Sequence, residues 1–150
     1  MRVAQITSPT RPRPVAAPAP PLVPSASTGR AEYVRGLLAA VGQVGGEIRA
    51  ASQATRLIYE DAERYEPIAL AHVAEALALL DVQVADGHRV MGTPSVMVDL
   101  ADQVRSRIYH MDEHIRQDPE FAIEQLDGAT DLLEPIERVA LRYLDRVDVR

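Results

Sequence analysis

Residues 34–65 read VRGLLAAVGQVGGEIRAASQATRLIYEDAERY. Within them the stripe Val34, Leu37, Val41, Val44, Ile48, Ala51, Thr55, Ile58, Ala62 and Tyr65 advances by alternating steps of three and four. That period sets one face of an α-helix against a core, and no β-strand shares it. Three further stripes follow: Leu70, Val73, Leu77, Leu80, Val84; then Met97, Ala101, Val104, Ile108, Met111, Ile115; then Ala122, Leu126, Ala129, Leu133, Ile136, Ala140, Tyr143, Val147. The spacing predicts helices over about 30–65, 67–90, 94–117 and 119–148.

Four prolines punctuate this region. Thr93-Pro94 and Asp118-Pro119 each read as an N-cap followed by proline at the first helical position, where its missing N–H costs nothing. At Pro67 the stripe slips by one position, which predicts a change of direction. At Pro135 the stripe keeps its phase, which predicts a kinked continuous helix. The expected fold is all-α: an antiparallel four-helix bundle, with a long kinked helical hairpin bent at Met91-Gly92-Thr93 as the alternative.

Seven of the chain's 11 prolines lie between Pro9 and Pro24. Residues 1–28 are therefore expected to be an extended or disordered proline-rich arm, and residues 29–150 the helical domain. The net charge of −6 divides at the same place. Residues 1–31 carry Arg2, Arg11, Arg13 and Arg30 and no acid (+4), leaving 12 arginines against 22 acids (−10) in the remainder. An acidic body of this kind argues against general nucleic-acid binding. All 16 cations are arginine, with neither lysine nor asparagine in the chain, which points to a GC-rich bacterial genome and, with no apolar signal segment at the start, a cytoplasmic protein. The most apolar run, Ile68–Leu80, is about 13 residues against the ~20 a bilayer requires, so no membrane span is expected. Absence of cysteine excludes disulfides, thiolate metal sites and a cysteine nucleophile.

The second helix is apolar well beyond one stripe, which implies a central position or a subunit interface. Only six aromatic residues are present; alanine and leucine must fill the core, and self-association is expected to add burial. Gly42 and Gly46 form a Gly-x-x-x-Gly spacing read as close packing of the first helix on the second, with a helix break at Gly45-Gly46 as the other reading. Arg138, Arg142, Arg146 and Arg150, interleaved with acids, read as a solvated face of i,i+4 pairs. The acidic run Glu60, Asp61, Glu63, Glu66 is a docking face open to the basic arm of a neighbouring subunit.

Candidate chemistry rests on histidine. His110 and His114 are four apart, a spacing that can chelate one metal ion from one side of a helix. A hairpin turn near residue 92 would bring His72 to the same height, with Glu75, Asp112 and Glu113 available as carboxylate partners. The three imidazoles occupy flank positions of their helices. The stretches LAHVAEA (70–76) and HMDEHIRQ (110–117) are locally similar to DinB-like metal-binding helical bundles, a resemblance over about 15 residues. It implies a metal site at His72, His110 and His114, filled by a divalent ion such as zinc or nickel, in a metal-dependent enzyme. The hairpin alternative resembles the secreted WxG class, although Val90-Met91-Gly92 lacks the tryptophan.

The reading favoured by the whole sequence is a non-enzymatic, cofactor-free assembly protein. It pairs with copies of itself and recruits another protein through its arm, by Val3 and Ile6 at the tip and by Pro18, Pro21 and Pro24 at polyproline-ligand spacing.

Overall fold

A computed structural model of the chain describes residues 26–92 and 95–148, and every regular element among them is helical. In order these are α1 (Ala26–Leu57), α2 (Ala62–Met91), α3 (Val96–Ile108), α4 (Met111–Gln117), α5 (Pro119–Asp131) and α6 (Leu133–Asp148). They make four arms, since α3 with α4 and α5 with α6 are each one arm with an interruption.

Helix ends follow local hydrogen bonding. Asp118 caps α5, its carboxylate accepting from the Phe121 N–H at 3.2 Å with Pro119 in the first turn, as the sequence predicts. Between α1 and α2 the turn falls at 58–61, several residues before Pro67. The Asp61 carboxylate accepts from the Arg64 N–H at 3.2 Å, and α2 then runs through Pro67 without ending. The expected break at Pro67 is thus corrected: Asp61 satisfies an orphan amide at the helix start, and Pro67 is close enough to that start for its lost hydrogen bond to be tolerated. Ser95 caps α3, accepting from the Val98 N–H at 3.5 Å, and α3 runs from Val96; Thr93 and Pro94, where the sequence places the start, lie outside the described residues. At the C-terminus of α2, Gly92 adopts φ 75°, a left-handed conformation suited to glycine.

The third arm breaks at Tyr109-His110. There Tyr109 N–H reaches back three residues to the Ser106 carbonyl, and His110 sits at φ −104°, ψ 24°. The fourth arm breaks at Leu132, whose N–H bonds to the Ala129 carbonyl at 3.1 Å. Pro135 explains the second interruption, because its ring conflicts with the carbonyl four residues earlier, at Asp131. The stripe keeps its phase across the break, with Leu133, Ile136 and Ala140 all buried.

α1 packs along α2 on one side and along α5 and α6 on the other, while α3 packs on α2, α5 and α6. Paired side chains give the directions. Tyr33 reaches Gln83 and Glu47 reaches His72, so α1 and α2 run opposite ways; Asp81 meets Arg105 and Glu66 meets Arg116, so α2 and the third arm do likewise. This is a helical bundle. In an open hairpin α1 and α2 would extend end to end.

The core is aliphatic. Leu37, Ile48, Ile108, Met111, Ile115, Leu126 and Ile136 are fully buried among alanines and valines, and Tyr33 is the one buried aromatic among the described residues. Tyr33 donates its hydroxyl to the Gln83 carbonyl at 3.0 Å. Burial, helped by Asp86, pushes that phenol up to about 12. Gly87 makes room for it, as the closest approach between α1, α2 and α3.

The Gly-x-x-x-Gly expectation fails. α1 is continuous through Gly45-Gly46, and Gly42 and Gly46 are exposed with no atom within 4 Å of where a Cβ would stand. Gly45 is the buried one, against Leu133 of α6. The expected central position of α2 is also corrected. Only Ala69, Val73, Ala76, Leu80 and Gly87 of its 30 residues are buried. The arm boundary expected at 28 falls slightly earlier, since α1 opens at Ala26; residues 1–25, with Val3, Ile6, Pro18, Pro21 and Pro24, lie outside the described residues.

Candidate functional site

α2 and the third arm leave a groove between them where that arm is interrupted. Its volume is about 380 Å³, and it is lined by Leu70, Val73, Ala74 and Leu77 from α2 and by Tyr109, His110, Asp112 and Glu113 opposite. The groove lies beside the interruption at His110, and Tyr109, still helical at φ −61°, ψ −40°, is 51% exposed in it. Arg105 stacks over the Tyr109 ring at 5.1 Å and is itself tied to Asp81, whose carboxylate strengthens its hold on the proton. Arg116 closes the lower end, 3.5 Å from Glu66 and 3.9 Å from Asp112. The groove thus has an apolar floor, one exposed aromatic ring and two lining carboxylates, Asp112 and Glu113, with Arg105 and Arg116 beside it. No serine, threonine or cysteine lines it. Such a surface is complementary in character to an apolar, cationic group.

The three candidate histidines lie at the expected height but on different sides. His72 faces α1, donating from Nδ1 to Glu47 Oε1 at 2.6 Å. His110 lies at the groove, edge-on to Tyr109 with ring centroids 4.8 Å apart. His114 packs edge-on against Phe121 of α5, also at 4.8 Å. The interruption at 109–110 separates a pair whose spacing assumed one unbroken helix. Among the described residues no group of three histidine, aspartate or glutamate side chains is placed to hold a metal ion.

A polar cluster that periodicity did not reveal ties α1 to α5. Ser52, buried on the α1 core face, donates to Asp127 Oδ1 at 2.8 Å, while Arg56 donates to Asp127 Oδ2 at 2.8 Å and to the Ser52 hydroxyl at 2.5 Å. Ser52 and Arg56 are one turn apart on α1, which was the only sequence signal. No histidine joins the cluster, and the serine proton is committed to the carboxylate, so the arrangement is a tie and not a nucleophile. Partial desolvation pushes the Asp127 carboxyl up, but the hydrogen bonds from Ser52 and Arg56 and the Arg56 charge outweigh it and leave the group below its usual range. A depressed folded-state value means this stabilisation is complete above the ordinary carboxylate range and is lost as pH falls through the folded value. Asp127→Ala is expected to lower unfolding stability by about 1 kcal/mol at pH 7, discounted for the half-exposed carboxylate. The difference from wild type should shrink toward zero near pH 2 in denaturant titrations; a deficit that stays constant with pH would assign the loss to packing.

The largest uncovered apolar surface is on α2. By length and composition α2 could cross a membrane, contrary to the shorter run expected from the sequence, and only 22% of its most apolar 18-residue window is buried. The outward apolar positions between Pro67 and Gly87 are Ile68, Ala71, Ala74, Ala78, Val82 and Ala85, and the acids in that stretch are Glu75, Asp81 and Asp86. No protein-family model, curated protein or solved structure matches the chain.

Proposed function

We propose that the chain is a non-enzymatic assembly protein that pairs with a second copy of itself through the outer face of α2, leaving its N-terminal arm to engage a further protein. The uncovered α2 face carries this reading. Ala71, Ala78 and Ala85 recur at intervals of seven, with Ile68, Ala74 and Val82 beside them, a spacing that keeps one seam toward a facing helix. Small side chains let two helix backbones approach closely, whereas a face made for lipid would carry bulkier ones. A twofold, self-complementary contact is the closed form of such a pairing, with Ala78, the middle of the three alanines, nearest its axis.

Sedimentation equilibrium of the full chain tests this. The expected mass is about 33 kDa, twice the 16.4 kDa of one chain. Ala78→Glu places two carboxylates near the pairing axis and is expected to weaken association about 100-fold. Its helicity by circular dichroism should be unchanged, because Ala78 is exposed. Ala39→Glu, on the exposed side of α1, should leave the mass at the dimer value. A chain that stays monomeric at high concentration, or that floats with phosphatidylcholine vesicles, would overturn the reading.

A further inference from the structure

We propose that the segment Arg11-Pro12-Arg13-Pro14 docks in the groove between α2 and the third arm of its own molecule, with its arginines on Asp112 and Glu113 and its prolines against Tyr109 and the Leu70–Leu77 floor.

Three observations converge on this occupant. The first is shape and chemistry. Proline-rich segments bind apolar grooves that present an aromatic ring, because the extended backbone loses little entropy on docking. This groove has such a floor, and Tyr109 stands half exposed in it. The second is charge. The charged lining is Asp112 and Glu113; Arg116 lies 3.9 Å from Asp112, and among the described residues Glu113 has no cationic partner. Residues 1–25 carry Arg2, Arg11 and Arg13 and no acid, and Arg11 and Arg13 flank a proline, so one short extended segment carries two cations.

The third is reach. α1 opens at Ala26 beside the C-terminal end of α2, since Tyr33 lies against Gln83 and Gly87. From there to the middle of the groove, level with Ala74, is roughly 26 Å along α2 at 1.5 Å per residue, plus about 10 Å across its width. The 11 residues 15–25 span about 34 Å at 3.1 Å per extended residue. The two displacements are perpendicular and combine to a straight line of roughly 28 Å, so the arm reaches the groove at Pro14 with about 6 Å to spare, leaving residues 1–8, with Val3 and Ile6, for another protein.

This inference goes beyond self-association and does not rest on it. Because the chain has no cysteine, Thr10→Cys gives a single nitroxide label on the full chain, read by amide broadening in a 15N-labelled sample. Residues 70–77 and 109–113 are expected to lose at least about half their intensity relative to the reduced label, a measure of the docked population, while 139–147 of α6 keep theirs. The same pattern is expected in Ala78→Glu. Arg11→Glu with Arg13→Glu should abolish the broadening, and adding Asp112→Arg with Glu113→Arg should restore it. Broadening centred on residues 60–66, spread evenly, unchanged by the reversals, or passing between molecules in a mixture of labelled and 15N chains would each overturn the proposal.

Discussion

Gly87→Ala is expected to lower unfolding stability by about 2 kcal/mol, read as a fall in Tm of about 8 °C at fixed protein concentration. A Cβ at this position would stand 2.5 Å from the Tyr33 hydroxyl oxygen and 2.6 Å from Val98 Cγ2. Neither neighbour can step aside cheaply. Tyr33 is buried and held to the Gln83 carbonyl, and Val98 is fully enclosed with a branched, stiff side chain. Glycine to alanine within a helix is worth about 1 kcal/mol in the favourable direction, so the net figure already includes that gain. A triple variant that adds Tyr33→Phe and Val98→Ala tests the cause. Removing the two clashing atoms should make the alanine cheaper than in the wild-type background, a coupling that simple loss of flexibility would not produce. If the alanine costs the same in both backgrounds, the close approach of α1, α2 and α3 at this point is not what glycine provides.

The parts of the fold legible in the sequence are those decided by local periodicity. From Val34 to Thr55 every stripe position is buried, as is the series Met97, Ala101, Val104, Ile108, Met111 and Ile115. Burial repeats every 3.6 residues whatever lies opposite, so a single sequence displays it. What was not legible depended on competition between local signals. The stripe runs on through Ile58, Ala62 and Tyr65 in correct phase, yet α1 stops at Leu57 because Asp61 caps the next helix. Phase reports which face is apolar, not whether the helix continues.

The candidate site shows the same division between height and azimuth. The turn centred near residue 92 places His72 level with the 110–114 region, and Leu70–Leu77 do oppose 109–113 across the groove. Which way each imidazole points depends on the rotation of every helix about its axis. His72 turns to α1, and the break at Tyr109-His110 alters the phase of everything beyond it. The sequence left two positions open for α2, central or at a subunit interface, for a related reason. An all-round apolar helix must be covered, but composition cannot say whether its own chain does the covering. Here the four buried positions before Gly87, Ala69, Val73, Ala76 and Leu80, lie on one narrow side, and the opposite side is exposed.

Gly36→Ala, Gly42→Ala and Gly46→Ala together are expected to raise stability by about 2–3 kcal/mol and Tm by about 10 °C. All three glycines lie inside α1, are exposed, and have no atom within 4 Å of a Cβ position. Each alanine therefore removes unfolded-state freedom without meeting a neighbour, the reverse of Gly87, where the same methyl collides. Gly45 is the internal control: its Cβ would stand 3.3 Å from the Arg49 guanidinium and 3.4 Å from Leu133, so alanine there should be close to neutral. Denaturant titration measures the four changes, and sedimentation of the triple variant decides what any shortfall means. If stability falls and the dimer mass is lost, the methyl groups must be striking atoms that a single chain does not supply. The Gly42-x-x-x-Gly46 face would then be the subunit contact, and the pairing surface would move from α2 to α1.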